Sequence, residues 1–267
     1  MAIRVCVAGA TGWTGGQVTR TILASNDFEL VGAIARQRVG QDIGEALGIA
    51  KAGISIVRTL EELLPNPPEV LIDYTNPESV KARALKALEH DMRVVIGTSG
   101  LTAADYEEIA AKAWERKLGV IAAGNFSITA ALAKHFALLA AKYLPSWEII
   151  DYASAGKIDA PSGTAQELAE ELGLRATNQL GLPIEQTHGS KEARGVSIAG
   201  TQVHSLRLPS YTIAFETIFG LPDERLTIRH DAGSGAEPYT SGTLLAARQV
   251  MQLTGLVRGL DRLLFDT

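Results

Sequence analysis

A single cysteine, Cys6, stands among 267 residues, so no intrachain disulfide staples this chain. It lies in the apolar run Ile3-Arg4-Val5-Cys6-Val7-Ala8, where cysteine packs as a small hydrophobe and is inert. Clustered positive charge is also missing. The 25 Lys and Arg are outnumbered by 30 Asp and Glu, and the longest basic grouping is a diffuse stretch at 112–117, which argues against a nucleic-acid footprint. No apolar run approaches the ~20 residues that span a bilayer, so no membrane partner is expected. The start of the chain enters a strand-like run at once, without the charged-then-apolar pattern of a leader. No two histidines sit at metal-ligand spacing, and no metal is expected. These absences leave a cytoplasmic enzyme or binding protein.

What is present is a large apolar fraction, 46%, enough to core two domains. Over the first 125 residues strand-like runs (3–8, 28–35, 69–74, 92–96, 119–123) alternate with helix-like ones (16–24, 77–90, 103–116). That rhythm predicts a parallel sheet with helices on both faces. After Asn125 it changes: a helix at 130–143, a strand at 147–154, a helix at 165–172, then strands at 196–208, 211–219 and 225–230. Successive long strands predict an α+β domain on a mostly antiparallel sheet. Residues 241–264 read as helix. The expected domains are 1–125, with 239–267 returning to it, and 126–238.

The glycine pattern Gly9-Ala10-Thr11-Gly12-Trp13-Thr14-Gly15 follows a strand and opens a helix. Glycine permits a tight turn and close approach of a pyrophosphate, and the helix start offers free amides and a positive dipole end. The bland alternative is a ligand-free turn; strand, loop and helix in register favour a dinucleotide site. No carboxylate occurs between Glu29 and Asp42, whereas Arg36 ends the second strand. An arginine there accommodates a 2′-phosphate, which favours NADPH, with NADH as second candidate; a solvated loop charge is the other reading of Arg36. Further strand-end loops, Tyr74-Thr75, Gly97-Thr98-Ser99 and Gly124-Asn125-Phe126, fall where a nicotinamide would lie.

The most informative stretch is Lys157-Ile158-Asp159-Ala160-Pro161-Ser162-Gly163-Thr164-Ala165. Pro161 and the apolar stripe Ala165, Leu168, Ala169 and Leu172 place Ser162, Gly163 and Thr164 at a helix start. Its amides and the Lys157 ammonium suit a carboxylate, so a small carboxylated substrate is expected. Ordinary serine capping beside a surface lysine is the plain alternative.

With these motifs, and with 204–209 and 226–231, the chain resembles the dihydrodipicolinate reductase family over nearly its whole length. The resemblance implies a Rossmann-type domain, a second domain carrying the substrate site and the oligomer interface, NAD(P)H as hydride donor, a lysine-pathway substrate and a homotetramer. One departure stands out. The family motif reads roughly E-x-H-H-x-x-K, and here Ala153 and Ser154 occupy the histidine positions before Lys157. The segment 210–216 also lacks the family's glycine-rich turn and its histidine before Glu216. With the histidine pair gone, Lys157, Ser154 through a water, or Tyr152 are the candidates to manage the proton. Other readings are a divergent imine or enamine reductase of another small carboxylate, and a non-catalytic NADPH sensor; the intact helix start argues against the sensor. The opening also resembles atypical short-chain dehydrogenases, but no tyrosine precedes a lysine by four residues, which removes their mechanism.

Overall fold

The computed structural model describes residues 2–265. Met1, Asp266 and Thr267, at the ends of the expected first domain and its returning segment, lie outside the described residues. The chain divides into two compact units, Met1–Ile128 with Ala236–Thr267, and Thr129–Gly235.

The first unit is built on seven parallel strands: β1 (Ile3–Ala8), β2 (Phe28–Ile34), β3 (Ile56–Val57), β4 (Val70–Asp73), β5 (Arg93–Ile96), β6 (Gly119–Ala122) and β12 (Gly255–Arg258). Every residue of β4 and β6 is buried, which is why these strands read as unbroken apolar runs. The spatial order β12-β6-β5-β4-β1-β2-β3 reverses direction between β1 and β4. In such a sheet the ligand crevice opens beyond the carboxyl ends of the two strands at the reversal. Helices α1 (Trp13–Leu23), α3 (Pro77–Glu89) and α4 (Ala103–Arg116) join successive strands, and a single turn, α2 (Ile43–Ala46), precedes β3. Asn76 caps α3 with Pro77 in its first turn, and Thr102 and Asp105 form a capping box on α4. Cys6 is fully buried among Leu71, Val80, Ala84, Val94 and Ile109, and this burial pushes its thiol pKa up.

The expectation of one helix over 241–264 is corrected. Helix α7 (Pro238–Gln249) stops, Gly255 turns the chain at φ +87°, and its amide bonds Leu118 to start β12 beside β6. A last helix, α8 (Leu260–Phe265), follows.

The second unit carries a mixed sheet ordered β11-β10-β7-β9-β8, from β7 (Ser146–Ala153), β8 (Val196–Ile198), β9 (Thr201–Arg207), β10 (Ile213–Leu221) and β11 (Glu224–Asp231). Three pairings are antiparallel and one, β7 with β9, is parallel. The single strand expected at 196–208 is two, because Ala199 and Gly200 both take positive φ and fold the run into a hairpin. Helices α5 (Ile128–Ala140) and α6 (Gly163–Arg175) bury Ala137, Leu168 and Leu172 against Trp147, Ile149, Phe215 and Phe219, all on one face of this sheet. Alternation puts Ile150, Tyr152, Leu206, Glu216 and Ile218 on the other face.

Candidate functional site

In the first unit β1 runs straight into Gly9, whose φ is +82°. A Cβ on Gly9 would stand 2.2 Å from the Tyr74 carbonyl oxygen, so only glycine lets the loops after β1 and β4 touch. The Gly12 amide donates to the Gly9 carbonyl at 2.9 Å, and α1 starts at Trp13 with no side chain capping its amides and no acid in its first turn. An uncapped helix start of this kind attracts an anion.

A cleft of about 380 Å³ opens at this point. Of the residues expected to hold a cofactor, Gly9, Thr11, Gly12, Arg36, Tyr74 and Thr75 line it. The others are not among its lining residues. Gly15 packs beneath the turn, where a Cβ would lie 2.2 Å from the Gly9 oxygen, and Thr14 occupies the first turn of α1. Trp13 is 53% exposed and meets Tyr239 edge-on at 5.7 Å. Gly97 leaves room for the Tyr74 ring, which would meet a Cβ at 2.1 Å. Thr98 is buried; its hydroxyl donates to the Asp73 carboxylate at 2.9 Å and accepts from the Thr75 amide at 2.8 Å. Ser99 and Gly124 are exposed, Asn125 accepts from the Ser127 amide, and Phe126 is buried edge-on to Tyr74.

Arg58 and Arg83 also line the cleft, and the sequence reading missed both. They differ in charge balance. Arg83 pairs with the buried Asp73 at 2.5 Å and donates to Thr75 at 3.0 Å, so it is neutralised and holds the Thr75 loop. Among the described residues no carboxylate pairs with the guanidinium of Arg36 or Arg58. Two uncompensated cations on one cleft wall, with a helix start beside them, form a site for a polyanion.

In the second unit the Lys157 motif hangs from β7. Asp151 is fully buried and accepts from the Ser162 amide at 2.8 Å and the Ser162 hydroxyl at 2.6 Å. Ser162 is the N-cap of α6 and accepts from the Ala165 amide. Of the residues expected at the substrate site, Ser162 gives its amide and hydroxyl to Asp151, and Gly163 and Thr164 follow it in the first turn of α6. Lys157 is partly buried and pairs with Asp159 at 2.7 Å. Ser154 is exposed, and its carbonyl accepts from the Lys157 amide in a tight turn. Tyr152 goes elsewhere. Its ring stacks on Tyr211 at 5.0 Å beneath the Arg229 guanidinium, on the sheet face opposite Asp151, and burial pushes its phenol pKa up. Ser154 and Lys157 therefore share one turn, the α6 start is tied to Asp151 of the preceding strand, and Tyr152 lies on that strand's opposite face. Ala153, fully buried, shares the face of Asp151.

Two family models, described as dihydrodipicolinate reductase N-terminus and C-terminus, match residues 3–126 and 126–264. The chain belongs to the dihydrodipicolinate reductase family. Curated relatives named 4-hydroxy-tetrahydrodipicolinate reductase, from Desulfitobacterium hafniense and Moorella thermoacetica, are 42% and 41% identical over 98% of this chain and 98% of each relative. The solved structure of a dipicolinate-bound dihydrodipicolinate reductase from a Paenisporosarcina species is 34% identical, with a TM-score of 0.80 over 98% of this chain and 99% of that one. For a dihydrodipicolinate reductase the cleft of the first unit fits a nicotinamide dinucleotide. The uncapped start of α1, the close turn at Gly9 and the guanidinium groups of Arg36 and Arg58 give its wall a chemistry suited to phosphate groups. No helix among the described residues is long and apolar enough to cross a membrane.

Proposed function

We propose that this reductase transfers hydride from NADPH to 4-hydroxy-tetrahydrodipicolinate, giving tetrahydrodipicolinate for lysine and diaminopimelate synthesis. The observation that carries the reading is the intact Lys157-to-Ala165 segment, with the ammonium paired to Asp159 and the α6 start tied to β7 through Asp151, in a chain matched end to end by its family. Residues 1–125 with 239–267 are the dinucleotide-binding domain, and 126–238 bind substrate. The bound nicotinamide supplies the hydride. Thr11, Gly12 and Thr14 receive the pyrophosphate at the start of α1. Arg36 and Arg58 receive the 2′-phosphate, and Tyr74, Thr75, Gly97, Thr98 and Phe126 set the floor for the ring. Lys157, Gly163 and Thr164 hold a substrate carboxylate.

The proton is handled differently from the family pattern. Ala153 has no acid to offer, and Ser154 is a far weaker acid than an imidazolium. Ser154 and Lys157 lie on a turn open to water, which supports delivery from solvent through that turn. Losing a positioned acid costs rate, typically ~10²- to 10⁴-fold, without forbidding the reaction. A second reading rests on the same two residues: Ala153 and Ser154 leave more room, which favours a different cyclic imine or enamine carboxylate. The apolar side chains Ile150, Leu206 and Ile218, half-buried on the sheet face away from α5 and α6, support self-association, and a homotetramer is proposed.

The test is loss of nicotinamide absorbance with substrate made in the cuvette from pyruvate and aspartate semialdehyde. Turnover on the order of one per second, at the low side of ordinary enzymes, supports the lysine-pathway substrate. NADPH binding without turnover refutes it and directs a screen to other cyclic imines.

A further inference from the structure

The carboxylate site of the second unit has two halves that the chain must hold at a fixed distance. One is the Lys157 ammonium, the other the amides at the start of α6. Both trace back to a single buried ion pair. Asp151 is fully buried in β7, and Arg207 of β9, largely buried, donates to its carboxylate at 2.9 Å. On one side the pair grips the helix start, because Asp151 takes both the amide and the hydroxyl of Ser162. On the other, the same guanidinium nitrogen of Arg207 donates to the Asp159 carbonyl at 2.6 Å. Asp159 in turn pairs through its side chain with Lys157. The second Arg207 nitrogen bonds the Leu206 and Asp151 carbonyls, which locks the guanidinium against the two strands. The Ser205 hydroxyl adds a further donor to Asp151 at 3.2 Å.

We infer that Asp151 and Arg207 are positioning residues for the substrate site, setting the separation between Lys157 and the α6 amides and so the carboxylate geometry the reductase accepts. The inference rests on the substrate-site reading above. A buried pair with one partner removed leaves an uncompensated charge, so each residue depends on the other. Charge alone does not do the job. One terminal nitrogen reaches both the Asp151 carboxylate and the Asp159 carbonyl while the other holds the Leu206 and Asp151 carbonyls, a planar two-nitrogen anchoring that a lysine's single ammonium lacks.

The discriminating variant is therefore Arg207→Lys, which keeps the charge beside Asp151 and loses the second nitrogen that fixes the bridge to Asp159 against the two strands. Dipicolinate binding to the NADPH-loaded enzyme is measured by calorimetry, alongside KM, kcat, NADPH affinity and amide hydrogen exchange. Dipicolinate Kd and substrate KM are expected to rise about tenfold, the scale of one hydrogen bond to a charged group. NADPH Kd is expected to stay unchanged, and exchange to quicken at 162–164 but not in β10. Asp151→Asn should move the same quantities in the same direction. Unchanged Kd and exchange in Arg207→Lys, or faster exchange throughout the second unit, would overturn the inference. If the wild type neither binds dipicolinate nor turns over, the substrate reading fails by itself; local loosening at 162–164 still upholds the positioning role, and its absence refutes it.

Discussion

Replacing Arg58 with alanine removes a guanidinium from the cleft wall and leaves the glycine loop untouched, because Arg58 follows β3 and lines the cleft beside Arg36. A hydrogen bond to a charged group is worth about 1.5–3 kcal/mol. Both arginines are exposed, so solvent screens them and the low end applies, about tenfold in Kd. NADH has no 2′-phosphate and should bind Arg58→Ala as it binds the wild type. The double variant with Arg36→Ala should lose about a hundredfold for NADPH if the two contacts add, and somewhat less if they share one phosphate. Fluorescence titration suits the measurement, since the exposed Trp13 stands at the head of α1. Equal weakening of NADPH and NADH, or none, would refute the assignment of Arg58 to the 2′-phosphate.

Other perturbations act on single features. Gly9→Ala forces a Cβ to within 2.2 Å of the Tyr74 carbonyl at a positive φ, so dinucleotide binding should be lost; a wild-type Kd would remove the phosphate-loop reading. Lys157→Ala should raise substrate KM about tenfold or more while leaving NADPH affinity in place, and kinetics at saturating NADPH separate the two. Burial lowers the His230 pKa from 6.5, with Asp231 opposing the shift. Below about 6.5 the unfolded chain binds a proton that the folded chain refuses, so stability falls as pH falls through that region. Thermal melts from neutral pH down should show this slope, and His230→Gln should flatten it.

Much of the first unit was legible because its strands are buried on both faces and the glycine loop comes directly after β1. The gaps have local causes. A two-residue strand such as β3 carries no periodicity, and Arg58 was missed along with it. In 241–264 the apolar residues Leu253, Leu256 and Val257 fit a helical spacing, and only Gly255 and Gly259, both at positive φ, mark the strand between them. Ala199-Gly200 was a similar turn signal inside an apparent single strand. In the second unit the motif around Lys157 was readable, but the parity of β7 was not followed through it. Counting by twos from Asp151 puts Ala153 on the face of Asp151 and Tyr152 on the other. The commitment of Ser162 to Asp151 needed coordinates, because that contact spans 11 positions and two elements.

The place of β12 at the edge of the first sheet, beside β6, bears on how the protein is made. Residues 129–235 leave the ribosome in full before β12 does. At about 5–20 residues per second, β6 waits on the order of ten seconds with one edge open. During that interval an unpaired parallel edge is exposed to other chains. Truncation ahead of Gly255 would make the wait permanent, so nascent chains stalled there should be the ones that aggregate or recruit a chaperone.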